Sequence, residues 1–371
     1  MAEISKIPVS DFDAAVRLLS GGTNVAIYNE QGMPSIYVRR DKGLISDVID
    51  GGSNDVHYAF KVNGVEIPAF YMGKYLATVY NGRALSLPLQ HPTTNKLTSG
   101  GTTPVNFQNA KRWCEDNGSG FHLPTIAEYA WIALLCKKND TMPSGNTNYG
   151  KNGSASYLHG VGSIIDEEGR VCSTLTGSGP AYWNDTLNPD GICDLAGNVC
   201  EWQGGYRTVN GEIQIFADND AAMKYDQMDG STLWKAILRD GSLVAPGAPN
   251  TLKWDYTQDP GNDATTFRLN TTLEFKQTSD TAYGAICFAK LKTAGFSVSE
   301  RLKALALMPE VEDAFFPHEF VYMRNLGTRY SYRGGSWSNG LDAGVFNVNG
   351  CSKATNYYPY VGFRPAFIPG I

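Results

Sequence analysis

The segment formed by residues 336–360 combines side chains that suit ligand contact rather than catalysis. Ser, Gly, Asn and Tyr supply thirteen of its 25 residues, and Asp342 and Lys353 are its only charged side chains. Tyrosine offers a large, rigid contact area at low entropy cost, while small polar residues form adaptable hydrogen bonds, as in antibody paratopes. The segment is therefore predicted to form a contact surface, held by an apolar frame that includes Trp337, Phe346 and Val348.

The cysteines and histidines are not spaced for metal binding or redox chemistry. The seven cysteines are scattered, and no pair has the Cys-x-x-Cys spacing of zinc sites or thioredoxin-like motifs. We expect all of them to be free thiols in a protein made in a reducing cytosol. The five histidines form no pattern, and His122, beside Leu123 and Pro124, is expected to be a packing residue.

The overall composition excludes several classes of protein. Of the 371 residues, 42% are apolar, 12% aromatic and only 18% charged, which argues against coiled coils, long helices and disorder. A net charge of −6 argues against broad nucleic-acid binding. No apolar run reaches the roughly 18 residues of a membrane span. The N-terminus lacks the basic-then-apolar order of a signal peptide, so synthesis in the cytoplasm is expected.

Local patterns predict short elements separated by long loops. A helix is expected over residues 126–138, where Thr125 as N-cap and Glu128 three residues later form a capping box. Further helices are expected over residues 107–116 and 299–307. Asn63-Gly64 predicts a hairpin turn. The glycine-rich run at residues 51–55 is the best candidate for a linker, and residues 139–192 are expected to be organised loop.

Three segments, in this order, resemble the motifs of one family. They read GFHLPTIAEY (residues 120–129), DLAGNVCEW (194–202) and RGGSW (333–337) followed by VGFRPA (361–366). Together they resemble the formylglycine-generating-enzyme type of C-type lectin fold, over about residues 60–371. The resemblance implies an α+β, loop-rich fold in which Trp202, Trp337 and Phe363 belong to the core and Arg364 is ion-paired or bonded to carbonyls.

The oxidase activity of that family is not expected here. Its enzymes bind copper through two cysteines, five residues apart, just after the GGS motif. In this sequence those places are Asn339 and Gly344, and neither side chain can supply the thiolates that Cu(I) requires. The sequence therefore predicts no copper, no catalytic residue and no enzyme activity. A formylglycine-generating oxidase is kept as the less favoured alternative.

The C-terminal segment resembles instead the variable region of diversity-generating retroelement proteins, whose best-known relatives in role are phage tropism determinants. In that family a reverse transcriptase changes adenines of a template, so Asn codons and their neighbours become almost anything. The resemblance implies ligand-binding, diversified positions within a fixed frame, with Lys353 as an extra candidate. The predicted variable residues are Ser336, Ser338, Asn339, Leu341, Asp342, Asn347, Asn349, Cys351, Ser352, Asn356, Tyr357, Tyr358 and Tyr360.

A calcium site is implied by the second motif of the resemblance. Asp194 and Glu201 match side chains that bind calcium in the enzymes, where the carbonyls matching Gly197 and Val199 complete the shell. Calcium takes six or more hard oxygen ligands, and this sequence offers two carboxylates. The alternative is that Glu201 caps a turn through hydrogen bonds.

These observations lead to one prediction of organisation and function. Residues 1–52 are expected to form a small module for attachment to a virion or for assembly into a homotrimer. Residues 57–371 are expected to form the lectin-type domain, with an insertion at about 205–330 and the variable region at 333–371. The predicted function is binding of a host-cell surface protein, or a surface glycan, by a phage tail or bacterial surface protein. The alternative is a metal-dependent carbohydrate-binding lectin.

Overall fold

A computed structural model describes residues 9–95, 103–261, 264–310 and 318–371. The fold is mixed α+β, rich in sheet and poor in helix. Within the described ranges, no helix has the length and apolar character needed to cross a lipid bilayer. The helices are α1 (Val9–Leu19), α2 (Ile45–Val48), α3 (Phe107–Glu115), α4 (Ile126–Lys138) and α5 (Glu300–Ala304).

The strands are short, and most of them belong to two sheets. In chain order they are β1 (Asn24–Tyr28), β2 (Pro34–Asp41), β3 (Lys61–Val62), β4 (Val65–Glu66), β5 (Ala69–Gly73), β6 (Ala77–Tyr80), β7 (Arg83–Ser86), β8 (Phe121–His122), β9 (Cys200–Val209), β10 (Glu212–Ile215), β11 (Lys235–Ile237), β12 (Leu243–Val244), β13 (Lys253–Tyr256), β14 (Ala264–Thr265), β15 (Phe267–Asn270), β16 (Tyr283–Cys287), β17 (Phe320–Met323), β18 (Thr328–Gly334), β19 (Gly344–Ser352), β20 (Val361–Gly362) and β21 (Ala366–Phe367).

Helix α4 begins and ends where the sequence predicts. The Thr125 hydroxyl accepts a hydrogen bond from the backbone N–H of Glu128, and the Glu128 carboxylate accepts one from the backbone N–H of Thr125, which completes the capping box. The helix is buried on nearly all sides, and its Trp131 packs edge-on against Phe60 with ring centroids 4.9 Å apart. It is therefore the central helix of the core.

Helix α5 is shorter than the predicted range 299–307. The backbone of Ala306 adopts a left-handed conformation with φ = +47°. The N–H of Leu307 then donates to the carbonyl of Leu302 over 2.9 Å, a bond of the kind that closes a Schellman motif. This turn ends the helix before Pro309, the residue on which the sequence prediction relied.

The first sheet joins the N-terminal strands to the rest of the chain. Its order is β1-β2-β5-β21-β8, so β2 pairs with β5 and the C-terminal strand β21 lies between β5 and β8. The glycine-rich run at residues 51–55 was predicted to link two separate units. In the structure it lies between α2 and β3, and it does not separate two sheets, because residues on both sides of it pair in this one.

The second sheet carries twelve strands and most of the long insertion. Neighbouring strands run β12-β11-β10-β9-β18-β19-β17-β16-β14, with β13 and β15 joined through β10 and β20 paired to β9. The strands from residues 212–323 extend the sheet on both sides of β9, β18 and β19. The segment predicted as an insertion, about 205–330, thus supplies strands to the main sheet.

Residues 139–180 contain no named helix or strand, as predicted for this loop region. Buried amides hold the loops together. The side chain of Asn198 accepts a hydrogen bond from the N–H of Thr174 (2.9 Å) and donates one to the Thr174 carbonyl (3.2 Å). Asn146 donates to the carbonyl of Cys172 over 2.9 Å. Hydrogen bonds of Asn198 therefore attach these loops to the second sequence motif, to which Asn198 belongs.

Candidate functional site

A cleft of about 430 Å³ opens on one face of the twelve-stranded sheet, and we call it the C-terminal cleft. Strand β19 runs through it, with β18 on one side and β17 followed by β16 on the other. Its lining consists mainly of aromatic and small polar side chains. These residues are Cys200, Tyr283, Tyr322, Arg324, Tyr332, Ser336, Ser338, Asn339, Asn347, Asn349, Cys351, Ser352, Tyr358 and Tyr360.

The side chains of strand β19 point alternately into the cleft and into the core. Successive side chains in a strand point to opposite faces of the sheet. Asn347, Asn349 and Cys351 accordingly line the cleft, while Phe346 and Val348 lie in the main hydrophobic cluster. Over residues 346–351 the frame and variable side chains therefore occupy opposite faces, whereas Val345 also lies in the core cluster and Ser352 also lines the cleft.

The tyrosines near the C-terminus form an aromatic wall. The rings of Tyr358 and Tyr360 are stacked, with centroids 5.1 Å apart and planes inclined by 14°. Tyr360 packs edge-on against the buried Trp337, and Tyr358 against Tyr332. The backbone carbonyl of Tyr360 accepts the N–H of Cys200, next to the parallel pairing of β20 with β9. This pairing fixes the wall against the sheet.

The loop that follows the GGS motif forms one end of the cleft. Asn339 Oδ1 accepts hydrogen bonds from the backbone N–H and from the hydroxyl of Ser336, each 2.8 Å long. Asn347 donates its amide to the carbonyl of Asp342 over 2.8 Å. The side chains of Ser336 and Asn347 are nearly buried, so their polar groups shape the loop as well as the cleft.

The structure brings nine of the thirteen predicted variable residues together in the C-terminal cleft. Four lie outside its lining: Leu341, Asp342, Asn356 and Tyr357. Leu341 and Tyr357 are exposed, at 58% and 50% of their surface. Asn356 accepts the backbone N–H of Lys353 over 2.7 Å and so closes a local turn. Of the four, Asp342 contacts the lining, because it accepts a hydrogen bond from the hydroxyl of Tyr322.

Five residues that line the cleft were not among those predicted from the sequence. Cys200 and Tyr332 belong to β9 and β18, and three more come from the insertion: Tyr283, Tyr322 and Arg324. The rings of Tyr283 and Tyr322 lie 6.3 Å apart, and the Tyr322 hydroxyl donates to Asp342 Oδ2 over 2.8 Å. The aromatic and β-branched residues in FVYMR (320–324) favour a strand, but nothing in the segment tells which strand lies beside it.

Burial raises the pKa of several thiol and hydroxyl groups of the cleft. It raises the pKa of the Cys351 thiol to about 12 and that of the Tyr360 hydroxyl to about 12. Burial, together with the hydrogen bond to Asp342, also raises the pKa of Tyr322. These groups act as neutral hydrogen-bonding groups near neutral pH. The cleft therefore offers aromatic faces, hydroxyl and amide groups and the guanidinium of Arg324.

The residues predicted to bind calcium are arranged around an arginine. Glu201 Oε1 accepts a hydrogen bond from Arg364 Nη2 over 2.7 Å, and Oε2 accepts one from the Tyr129 hydroxyl over 2.6 Å. Arg364 also donates to the carbonyls of Gly73 and Cys193, each over 3.0 Å. This bears out the expectation that Arg364 is ion-paired and bonded to carbonyls.

As arranged, these residues do not fit a calcium ion. Both oxygens of Glu201 already accept hydrogen bonds, and Asp194 Oδ2 accepts one from the N–H of Gly177 over 2.8 Å. Burial raises the pKa of Asp194 to about 6. Gly197 and Val199 lie in the turn before β9. Across the described ranges, no three His, Cys, Asp or Glu side chains are grouped as metal ligands would be.

Comparisons with known proteins give no family assignment. No protein-family model matches the chain, and no curated protein matches it. Among solved structures, Treponema denticola variable protein 1 is similar at 14% identity over 93% of this chain and 99% of that chain, with a TM-score of 0.32. The U1 and P3c variants of the Major Tropism Determinant are similar at 12% and 11% identity, over 93% of this chain and 72% of theirs, each with a TM-score of 0.32.

Proposed function

We propose that this chain is a ligand-binding variable protein of the retroelement type, with a C-type lectin fold of the formylglycine-generating-enzyme subtype. The observation that supports the proposal most directly is the convergence of nine predicted variable residues in one cleft. Their frame residues on β19 point into the core on the other face of the sheet. Such an arrangement lets side chains in the cleft change without altering the packed interior.

The proposed ligand is a protein on the surface of a host cell, bound by a phage or prophage tail protein. The composition of the cleft supports this choice, because tyrosine with serine, asparagine and glycine is the chemistry of protein-binding loops. Attachment to a virion or assembly into a homotrimer through the N-terminal residues belongs to the same proposal. Display in several copies would raise avidity without new contacts.

A randomised library tests the proposal. Codons for Ser338, Asn349, Tyr358 and Tyr360 are randomised together, and the displayed library is selected against hen lysozyme as an arbitrary protein target. Most clones should fold, and selection should yield clones that bind. A matched library randomised at Phe346 and Val348 should yield mostly unfolded protein. Failure to obtain any binder from the first library, with folding intact, would contradict the proposal.

Two further measurements separate the alternatives. The neighbouring DNA should contain a near-copy of the last hundred or so bases, differing only at adenines, beside a reverse transcriptase gene. Copper loading followed by a peptide-thiol oxidation assay should give no turnover, because Asn339 and Gly344 replace the thiolate ligands. Formylglycine production would restore the oxidase, and strong metal-dependent hits on a glycan array would favour the lectin.

A further inference from the structure

Arg324 faces the C-terminal cleft without a carboxylate partner. It follows β17 directly and lines the cleft together with Tyr283 and Tyr322. Its Nε atom is buried and has no hydrogen-bond acceptor in the structure, and no ion pair involves its guanidinium within the described ranges. A buried polar group without a partner costs free energy, and an incoming anion would remove that cost.

Two acidic side chains near the cleft contact groups other than Arg324. Asp280 forms an ion pair with Arg329, and its Oδ2 lies 3.1 Å from the ammonium group of Lys353. Asp342 accepts the hydroxyl of Tyr322 and lies 3.6 Å from His318 Nδ1. Arg329 and Lys353 thus share one carboxylate outside the cleft lining. Among the residues that line the cleft, Arg324 is the charged one.

Arg324 differs from the nine predicted variable residues of the cleft in its place in the sequence. It precedes the proposed variable region, residues 333–371, so every variant would carry it. We propose that Arg324 is a constant anchor for a carboxylate of the protein partner, an Asp or Glu side chain, beside which the variable residues select the partner. This inference rests on the proposed function of the cleft.

The chemistry around Arg324 favours a ligand group that carries one negative charge. A guanidinium pairs with a carboxylate through two parallel hydrogen bonds, and such charge-assisted bonds are stronger than neutral ones. One cation balances one negative charge, whereas a phosphate dianion would meet the same single cation with Asp342 nearby. Arginine and tyrosine are also the residues most enriched at the energetic centres of protein interfaces. An acidic side chain of a protein fits all three observations.

The anchor can be tested on the free protein with propionate as the probe. Arginine Nε–H resonances are followed by nitrogen-edited NMR, and the signal lost in Arg324→Gln assigns Arg324. Propionate should shift this signal in a saturable manner, and Arg324→Gln should lower the affinity at least tenfold. Arg324→Lys should retain part of the binding, because it keeps the charge and loses the two-bond geometry.

Arg83 provides the matched control. It is also a partly buried arginine whose Nε has no acceptor, but it lines a different cleft, together with Glu30, Glu115 and Asp116. Its signal should not respond to propionate. An equal response at Arg83, no saturable response at Arg324, or tighter binding of inorganic phosphate would each overturn the proposal. Binding of glucuronate more than tenfold tighter than propionate would overturn the choice of a protein partner.

The randomised library separates failure of the anchor from failure of the proposed function. Clones selected against lysozyme are remade with Arg324→Gln, and their affinities are compared with those for lysozyme whose carboxylates have been amidated. Each change should weaken most clones at least tenfold, and the two losses should not add. Strong binders that tolerate both changes would overturn the anchor and leave the proposed function standing. The absence of binders would instead count against the proposed function itself.

Discussion

The guanidinium of Arg364 holds the carboxylate of Glu201 in the interior, with Arg364 Nη2 2.7 Å from Glu201 Oε1. Both side chains are fully buried. Arg364 belongs to the last sequence motif and Glu201 to the second, so the pair connects two segments 163 residues apart. Carbonyls of Gly73 and Cys193 accept the remaining donors, and this joins both sheets at one point.

Replacement of Glu201 should therefore destabilise the fold strongly. Glu201→Gln leaves the Arg364 charge buried without its anion, and breaking a buried pair in this way costs about 3–5 kcal/mol. Urea unfolding of the variant measures the loss. Asp50→Asn, which removes the exposed partner of Lys138, is the control and should change stability far less than Glu201→Gln does. Equal losses would mean that the buried pair is not a stabilising contact.

Removal of divalent metal should leave the melting temperature unchanged. The two carboxylates implied as calcium ligands already accept hydrogen bonds: Glu201 from Arg364 and Tyr129, and Asp194 from the N–H of Gly177. A metal bound only to the folded state would stabilise it by mass action, so chelator would lower the melting temperature and calcium would restore it. Thermal melts with chelator, and then with excess calcium, decide between the two. A reversible drop would restore Asp194 and Glu201 as metal ligands.

The two faces of β19 should respond differently to truncation. Phe346 is fully buried and packs against Phe288 with ring centroids 4.8 Å apart, so Phe346→Ala should cost about 3–5 kcal/mol. Ser338 is exposed at the cleft, and Ser338→Ala should change stability by less than about 0.5 kcal/mol. Both values come from denaturant midpoints at constant slope. Similar costs at the two positions would contradict a display surface over a fixed frame.

The three C-terminal tyrosines should not be equivalent. Tyr357 is half exposed and lies outside the cleft lining, so Tyr357→Ser should stay within about 0.5 kcal/mol of the parent. Tyr358 and Tyr360 stack on each other, and loss of an aromatic pair costs about 0.5–1.5 kcal/mol beyond the area it buries. Thermal melts of the single variants, with Tyr358→Phe as control, test the order. A larger loss of stability for Tyr357→Ser than for Tyr360→Ser would contradict the expected order.

Stability should fall as the pH rises from 6.5 to about 8, because of Glu319. Burial raises the pKa of this carboxyl to about 8, although the backbone N–H groups of Phe346 and Asn347 and the charge of Arg333 oppose the shift. The folded protein therefore keeps a proton that the unfolded chain has already released, so stability present at low pH is lost as pH rises through the folded value. The slope is at most about 1.4 kcal/mol per pH unit for one proton.

Glu319→Gln isolates this effect. The amide does not titrate, so the difference in stability between parent and variant should change over this window and become constant above it. Asp194, with a pKa of about 6, and His57, whose pKa burial lowers to about 4, titrate mainly below pH 6.5. The pKa of His122 is also raised, because the Glu128 carboxylate outweighs the effect of burial, but this contribution is common to parent and variant. A difference between parent and variant that is flat from pH 6.5 to 8.5 would mean that Glu319 is already ionised in the fold.

The sequence alone determined the elements whose cause is local. The capping box at Thr125 and Glu128 fixes the start of α4, because its two hydrogen bonds join residues three apart. Asn63 and Gly64 form a hairpin turn because both accept a positive φ. The composition of residues 336–360 likewise marked them as a contact surface, and nine of the thirteen positions predicted there line one cleft.

Only the tertiary structure decided which distant residues complete that cleft. Tyr322 lies beside Asn349 because β17 pairs in parallel with β19, and Arg324 directly follows β17. Parallel pairing of separate segments leaves no local signal, since it depends on which strands bury their apolar faces together. The same holds for Glu201, which the motif marked as a ligand of calcium. In the structure its partner is Arg364, which packing of the whole chain brings beside it, and the charge of a buried carboxylate is balanced by the cation that the fold places closest.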